Sequence, residues 1–134
     1  HRTKIPRQPV LITGGRGTLA QAFRRICEMR AIDCELLGRD ELDITNVAQV
    51  DAALRRYRPW AIINAAGYVD VDAAESDRDT CMRENVDGPE VLATACEDSA
   101  IQFMTFSSDL VFDGQSDRPY IETDVPAPIN VYGL

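Results

Sequence analysis

The chain has 134 residues, 45% of them hydrophobic, and a formal net charge of −8, which suits one domain burying roughly two-thirds of its unfolded surface. The acidic balance argues against nucleic acid or an anionic membrane as a partner, because phosphate surfaces reward clustered Lys and Arg. No apolar run nears the roughly 20 residues of a membrane helix, and no secretory signal is visible.

Residues 1–9 are polar, basic and proline-bearing, with no initiator Met. They read as a linker or expression remnant ahead of a domain spanning 10–134. Val131-Tyr132-Gly133-Leu134 carries no polar tail, so that domain is expected to be incomplete and the protein to continue. Cys27, Cys34, Cys81 and Cys96 form no Cys-x-x-Cys pair and fall in or beside patterns of buried elements. Reduced packing residues are expected rather than a disulfide or metal set, which places the protein in the cytoplasm. No metal site is expected. The only histidine is His1, so a Ser-His-Asp relay is excluded.

The first predicted element is the apolar run Val10-Leu11-Ile12-Thr13. It breaks into Gly14-Gly15-Arg16-Gly17 and resumes as a helical pattern through Leu19, Ala22, Phe23 and Ile26, running out near Arg30. Strand, tight turn and helix predict a phosphate-binding turn. Gly14 and Gly17 let the backbone bend and approach a pyrophosphate, while the helix start at Thr18 and Leu19 offers unpaired N–H groups and a positive dipole end. Ala20, where a third glycine often sits, still allows close helix–strand packing. A simple β-turn is the plainer alternative, and the periodicity on both flanks favours the nucleotide turn.

Cys34-Glu35-Leu36-Leu37-Gly38 reads as a second strand, ending at Arg39-Asp40. In dinucleotide folds this end faces the adenosine ribose, where an acidic residue favours NAD and a basic one tolerates the extra phosphate of NADP. Arg39, with Arg16 in the first turn, therefore favours NADPH, with NADH still acceptable. Solvated surface arginines are the alternative. Leu42-Asp43-Ile44-Thr45 leads into a helical stripe of Val47, Val50, Leu54 and Tyr57. Asp43 or Thr45 is positioned to cap that helix. Asp43 is equally placed to accept the adenine amino group while the Ile44 N–H meets the ring.

Arg58-Pro59 stops this helix, and Trp60-Ala61-Ile62-Ile63 reads as a third strand, buried on both faces. It ends in Asn64-Ala65-Ala66-Gly67, small residues that leave room for ribose and phosphates, although Asn64 also suits a turn. Val69 to Glu75 is acidic and partly helical. A longer helix is predicted from Asp79 to Asp98, with Met82, Val86, Leu92, Ala95 and Cys96 inward and a kink at Gly88-Pro89. Asn85 in its middle suits a surface or helix–helix contact as well as a functional one. Ile101 to Phe106 is the fourth strand, ending in Ser107-Ser108-Asp109. Val111 to Leu134 reads as a long surface loop approaching Tyr132.

Alternating strands and helices predict an α/β, Rossmann-type, doubly wound parallel sheet with helices on both faces. Its ligands bind beyond the strand C-termini, where the segments at Gly14, Gly38, Asn64 and Ser107 all fall.

Thr13 to Ala20, Asn64-Ala65-Ala66-Gly67-Tyr68, Ser107-Ser108-Asp109-Leu110-Val111-Phe112-Asp113-Gly114 and Pro128-Ile129-Asn130-Val131-Tyr132-Gly133 together resemble the extended short-chain dehydrogenase/reductases, and among them the dTDP-4-dehydrorhamnose reductases. The resemblance implies NADPH- or NADH-dependent reduction of the 4-keto group of a nucleotide-activated deoxysugar. On it, Ser108 would hydrogen-bond the substrate oxygen and Tyr132 would donate the proton. Asn85 would match a helix asparagine that supports the active-site strand, and Tyr68 would lie toward the nicotinamide. The family lysine four residues after the tyrosine falls beyond Leu134, so these residues are expected to bind cofactor without turnover. Ala20, Ala73 and Leu110 depart from the family's glycine, lysine and tyrosine. Leu110 removes a hydroxyl near the sugar pocket, which bears on the substrate more than on the cofactor. A sugar-nucleotide epimerase or dehydratase is a rival, weakened by Leu110 after Asp109 in place of an acidic pair. A non-catalytic dinucleotide module for regulation or assembly is another. A homodimer remains open.

Overall fold

The structure, a computed structural model, describes residues 8–134. Most of the expected linker therefore lies outside the described residues. Within them, Pro9 is tied in, its carbonyl accepting from the Trp60 N–H at 3.2 Å.

Four parallel strands, β1 (Val10–Thr13), β2 (Cys34–Leu37), β3 (Ala61–Asn64) and β4 (Gln102–Met104), form one sheet in the order β2-β1-β3-β4. The chain crosses from β2 over β1 to reach β3, which makes the gap between β1 and β3 the switch point where open α/β sheets take ligands. Register sets Thr13 beside both Leu37 and Asn64, and Ile63 beside Met104. The segments after all four strands consequently emerge on one edge.

Alternation along β1 builds the two cores. Val10 and Ile12 face α1 (Thr18–Met29), packing with Ala20, Cys27 and Ala61. Leu11 faces the opposite side with Leu37, Leu42, Ile44 and Ile62, against Val50 of α2 (Val47–Tyr57) and Leu92 and Cys96 of the later helix α5 (Gly88–Asp98). Helices thus cover both faces, as the α/β reading predicts. Each fully buried Leu, Ile or Val in these cores contributes about 1.5–3 kcal/mol.

Several local expectations are corrected. Leu19 and Ile26, part of the apolar helical pattern, are exposed, because α1 meets the sheet through Ala20, Phe23 and Cys27. Val47 and Val86 are also exposed. Neither Asp43 nor Thr45 caps α2; Asn46 does, its side chain accepting from the Gln49 N–H. Trp60 lies outside β3, and β4 keeps only three of the six expected residues, although the Asn64 side chain still bonds Thr105 just past its end. After the short α3 (Val71–Ala74), the predicted long helix runs as α4 (Arg78–Met82), a π-helical turn (Arg83–Asp87) and α5. Pro89 has no N–H to give the preceding turn, and widening that turn accommodates the ring without a break.

Candidate active site at the sheet edge

Gly14 has φ +75°, and a Cβ there would overlap the Ala65 carbonyl. Only glycine lets β1 turn this close to β3. The turn closes through Gly17 N–H to Gly14 O at 2.8 Å and Gly15 N–H to Leu37 O at 3.0 Å, and the Gln21 side-chain amide donates to Gly15 O at 2.7 Å. Gly17 is the N-cap of α1 and supplies no side-chain cap. The first-turn amides therefore lack the usual side-chain partner, an arrangement that suits an anion.

Beneath this turn lies a polar chain, buried at Thr13 and Asn64 and reaching the surface at Thr105. Thr13 Oγ1 donates to Asn64 Oδ1 at 2.6 Å, and Asn64 Nδ2 donates to Thr105 Oγ1 at 3.1 Å. The Ala66 N–H reaches both Thr13 Oγ1 and Asn64 Oδ1 at 3.3 Å. Asn64 thus clamps the ends of β1, β3 and β4 together. It is a brace and, through the Ala66 N–H two residues on, a turn former as well.

Two clefts flank the segment Ala65-Ala66-Gly67, which walls both. The first, about 320 Å³, is lined by the glycine turn with Arg16, by Gly38 and Arg39, by Leu42 to Thr45, and by Glu84. Asp43 Oδ1 accepts from the Thr45 hydroxyl at 2.7 Å and N–H at 2.9 Å. These bonds hold its carboxyl below the usual carboxylate range, with Arg39 and Arg83 adding to the effect. Neither arginine projects freely. Arg16 pairs with Asp40 at 2.5 Å, and Arg39 with Glu84.

The second cleft, about 350 Å³, is lined by Leu19, Asn64 to Val69, Asn85, Thr105 to Ser108 and Val131 to Leu134. No Lys, Arg, Asp or Glu lines it among the described residues. Asn85, inside the π-helical turn, grips the Tyr68 backbone from both sides: its Oδ1 accepts from the Tyr68 N–H at 2.8 Å and its Nδ2 donates to Tyr68 O at 3.0 Å. Partial loss of solvent, with Asp77 and Asp70 nearby, pushes the Tyr68 phenol up. Ser108 caps a 3₁₀ turn (Asp109–Val111), its Oγ accepting from the Leu110 N–H at 3.1 Å and donating to Asp109 Oδ1 at 3.2 Å.

Tyr132 reaches the same cleft at the end of a long loop without helix or strand after Phe112. That loop is tied by stacked Phe112 and Tyr120 rings 4.2 Å apart, by two Arg118–Asp124 hydrogen bonds of 2.9 and 2.6 Å, and by Ala127 N–H to Val111 O at 2.8 Å. Gly133 is buried where a Cβ would overlap the Leu110 carbonyl. The Tyr132 loop and the Ser108 turn are therefore pressed together.

The first cleft accordingly gathers Gly14, Arg16, Gly17, Arg39, Asp43 and Ile44, the second gathers Leu19, Asn64, Tyr68, Asn85, Ser108 and Tyr132, and Ala65 and Ala66 serve both. Thr18 opens α1 but lines neither. Sequence reasoning missed Thr13, Thr105, Glu75 and Glu84. A Thr closing an apolar run hints at the first, whereas nothing local marks the acids.

The chain is similar in sequence and fold to known proteins. A dTDP-4-dehydrorhamnose reductase from Streptomyces griseus is 38% identical over 128 residues, covering 96% of this chain and 42% of its own length. A dTDP-4-keto-6-deoxy-D-glucose reductase from Streptomyces niveus is 36% identical over 123 residues, covering 92% and 43%. The crystal structure of the Bacillus anthracis dTDP-4-dehydrorhamnose reductase in complex with NADP superposes with a TM-score of 0.89 at 34% identity, covering 98% of this chain and 47% of that one. The chain thus spans less than half the length of these relatives. The model of the RmlD substrate binding domain family matches residues 8–134, nearly the whole chain, and the chain belongs to that family.

Proposed function

We propose that this chain is the cofactor-binding part of a nicotinamide-dependent reductase acting on the 4-keto group of a dTDP-deoxysugar, with NADPH preferred over NADH. One observation carries the reading: an uncapped glycine turn and the Ser108–Tyr132 hydroxyl pair lie on one sheet edge, in clefts sharing the Ala65–Gly67 wall. The relatives' reductase activities and the NADP complex support it. Four free cysteines, three of them buried, support a reducing compartment, and we place the protein in the cytoplasm.

The glycine turn and the α1 start take the pyrophosphate. Asp43 and the Ile44 N–H meet the adenine, and Arg16 and Arg39 meet the 2′-phosphate. The nicotinamide supplies the hydride when bound. As negative charge grows on the ketone oxygen, Ser108 hydrogen-bonds it and Tyr132 delivers the proton. The Leu110 N–H occupies a lone pair of Ser108 Oγ, so the hydroxyl proton is the part that swings from Asp109 to substrate. An efficient phenolic acid near neutrality needs a cation beside it. None lines the cleft among the described residues, so these 134 residues bind dinucleotide without turnover.

Calorimetry of the chain with each dinucleotide tests this. Binding of both is expected, more tightly for NADPH; silence with both at millimolar concentration overturns the site. Multiple turnovers of a 4-keto sugar nucleotide by the chain alone would contradict the division of labour.

A further inference from the structure

Glu84 is a carboxylate in the first cleft to which the dinucleotide reading gives no task. It is 9% exposed, sits in the π-helical turn, and holds the Arg39 guanidinium in an ion pair, with Arg83 at 4.0 Å. The other cleft cation, Arg16, faces Asp40, and both of those side chains are largely exposed, at 86% and 74%. The Glu84 side chain is only 12% exposed against 68% for Arg39. The two pairs open at different cost. Water takes over Asp40 when Arg16 turns to a phosphate, so little is lost. Drawing Arg39 away leaves Glu84 poorly solvated with only a distant arginine. If Arg39 stays in place, a 2′-phosphate sits near a like charge. A 2′-hydroxyl meets neither penalty.

We propose that Glu84 is a specificity-determining residue: its carboxylate competes with the 2′-phosphate for Arg39, restrains the NADPH preference and keeps NADH usable. This rests on the dinucleotide reading above. Glu84→Gln keeps the size and an acceptor for Arg39 while removing the charge, so it separates competition from mere positioning.

Both dinucleotides are titrated by calorimetry into the wild-type chain, Glu84→Gln and Asp40→Asn. The ratio of NADPH to NADH affinity is expected to rise roughly five- to tenfold in Glu84→Gln, the size of one charge interaction near a surface, and by less than about twofold in Asp40→Asn. The rise should vanish when Arg39→Ala is added. If Glu84→Gln does not fold by circular dichroism, Glu84→Leu reads the same ratio and must raise it. A ratio unmoved or lowered while both dinucleotides bind overturns the role of Glu84 alone. A wild-type chain that binds neither overturns the nucleotide site and this inference with it.

Discussion

Glu75 Oε1 accepts a 2.8 Å hydrogen bond from the Val131 N–H, across 56 residues of sequence. Glu75 follows α3, whose start is capped by Asp70 through the Ala73 N–H. This bond therefore ties the loop carrying Tyr132 to the segment that runs on from the Asn85-gripped Tyr68. Removing it frees an exposed loop at little global cost, about 1 kcal/mol, but loosens the approach of Tyr132 to Ser108. Glu75→Ala should speed hydrogen exchange of the Val131 amide roughly tenfold, while Glu75→Gln, still an acceptor, should preserve most protection. Unchanged exchange in Glu75→Ala would show that the loop is held elsewhere.

Gly14→Ala confronts two obstacles at once, a positive φ and the Ala65 carbonyl. The left-handed conformation alone costs about 1–2 kcal/mol, and a backbone overlap adds to it. Urea unfolding should register a loss of roughly 2–4 kcal/mol, with dinucleotide binding abolished because β1 and β3 must separate. Stability within 0.5 kcal/mol of wild type (about the noise of surface substitutions) would mean the turn is not built this way.

Asn64→Ala takes a partner from three groups and leaves two of them without one. The Thr13 hydroxyl and the Thr105 hydroxyl lose their partner, and the Ala66 N–H keeps only its bond to Thr13. The buried Thr13 hydroxyl left without its acceptor costs about 1–3 kcal/mol, whereas the exposed Thr105 hydroxyl turns to water, so denaturant melts should show a loss of about 1–3 kcal/mol. Thr105→Val, which removes only the exposed end of the chain, should cost less than half as much. Equal losses would argue that the clamp on β4, not the one joining β1 and β3, dominates.

The two ends of this chemistry were unequally legible in the sequence. Glycines between an apolar strand and a helical pattern announce a turn by local sterics, so the position of Gly14 and Gly17 and the shared edge of all four strands follow from periodicity and chain order. The inward faces of helices did not follow as well. Leu19, Ile26 and Val86 are apolar yet exposed, while Glu84 is charged yet buried, because Ala20 sets the closest approach of α1 and an ion pair, not apolarity, seats Glu84. Asn85 shows the same limit: its task depends on the Tyr68 backbone meeting it in space. Glu75 and Val131 are too far apart in sequence for any pattern to pair them.

Arg39→Ala should lower NADPH affinity about threefold in the otherwise wild-type chain while leaving NADH nearly untouched, a small effect because Glu84 already engages the guanidinium. Arg16→Ala should cost NADPH a similar amount. Equal affinities for the two dinucleotides in wild type, or a preference unmoved by Arg39→Ala, would remove the claim that these arginines read the 2′-phosphate.

The cysteines set an alkaline limit rather than an acid one. Burial pushes Cys96 up to about 11 and also raises Cys81, from a thiol's ordinary value of 9.0. A folded-state pKa above the unfolded one means this contribution to stability is complete below pH 9 and is lost as pH rises through about 11. At pH 8 both thiols are protonated and shielded, so iodoacetamide should reach them only through unfolding, at rates that climb with urea. Cys34 is only half-buried, and burial together with Cys27 raises it too. It should be the first alkylated, yet more slowly than a free thiol. Mass spectrometry that finds Cys96 modified as fast as a model thiol, with circular dichroism unchanged, would place it outside the core against α5.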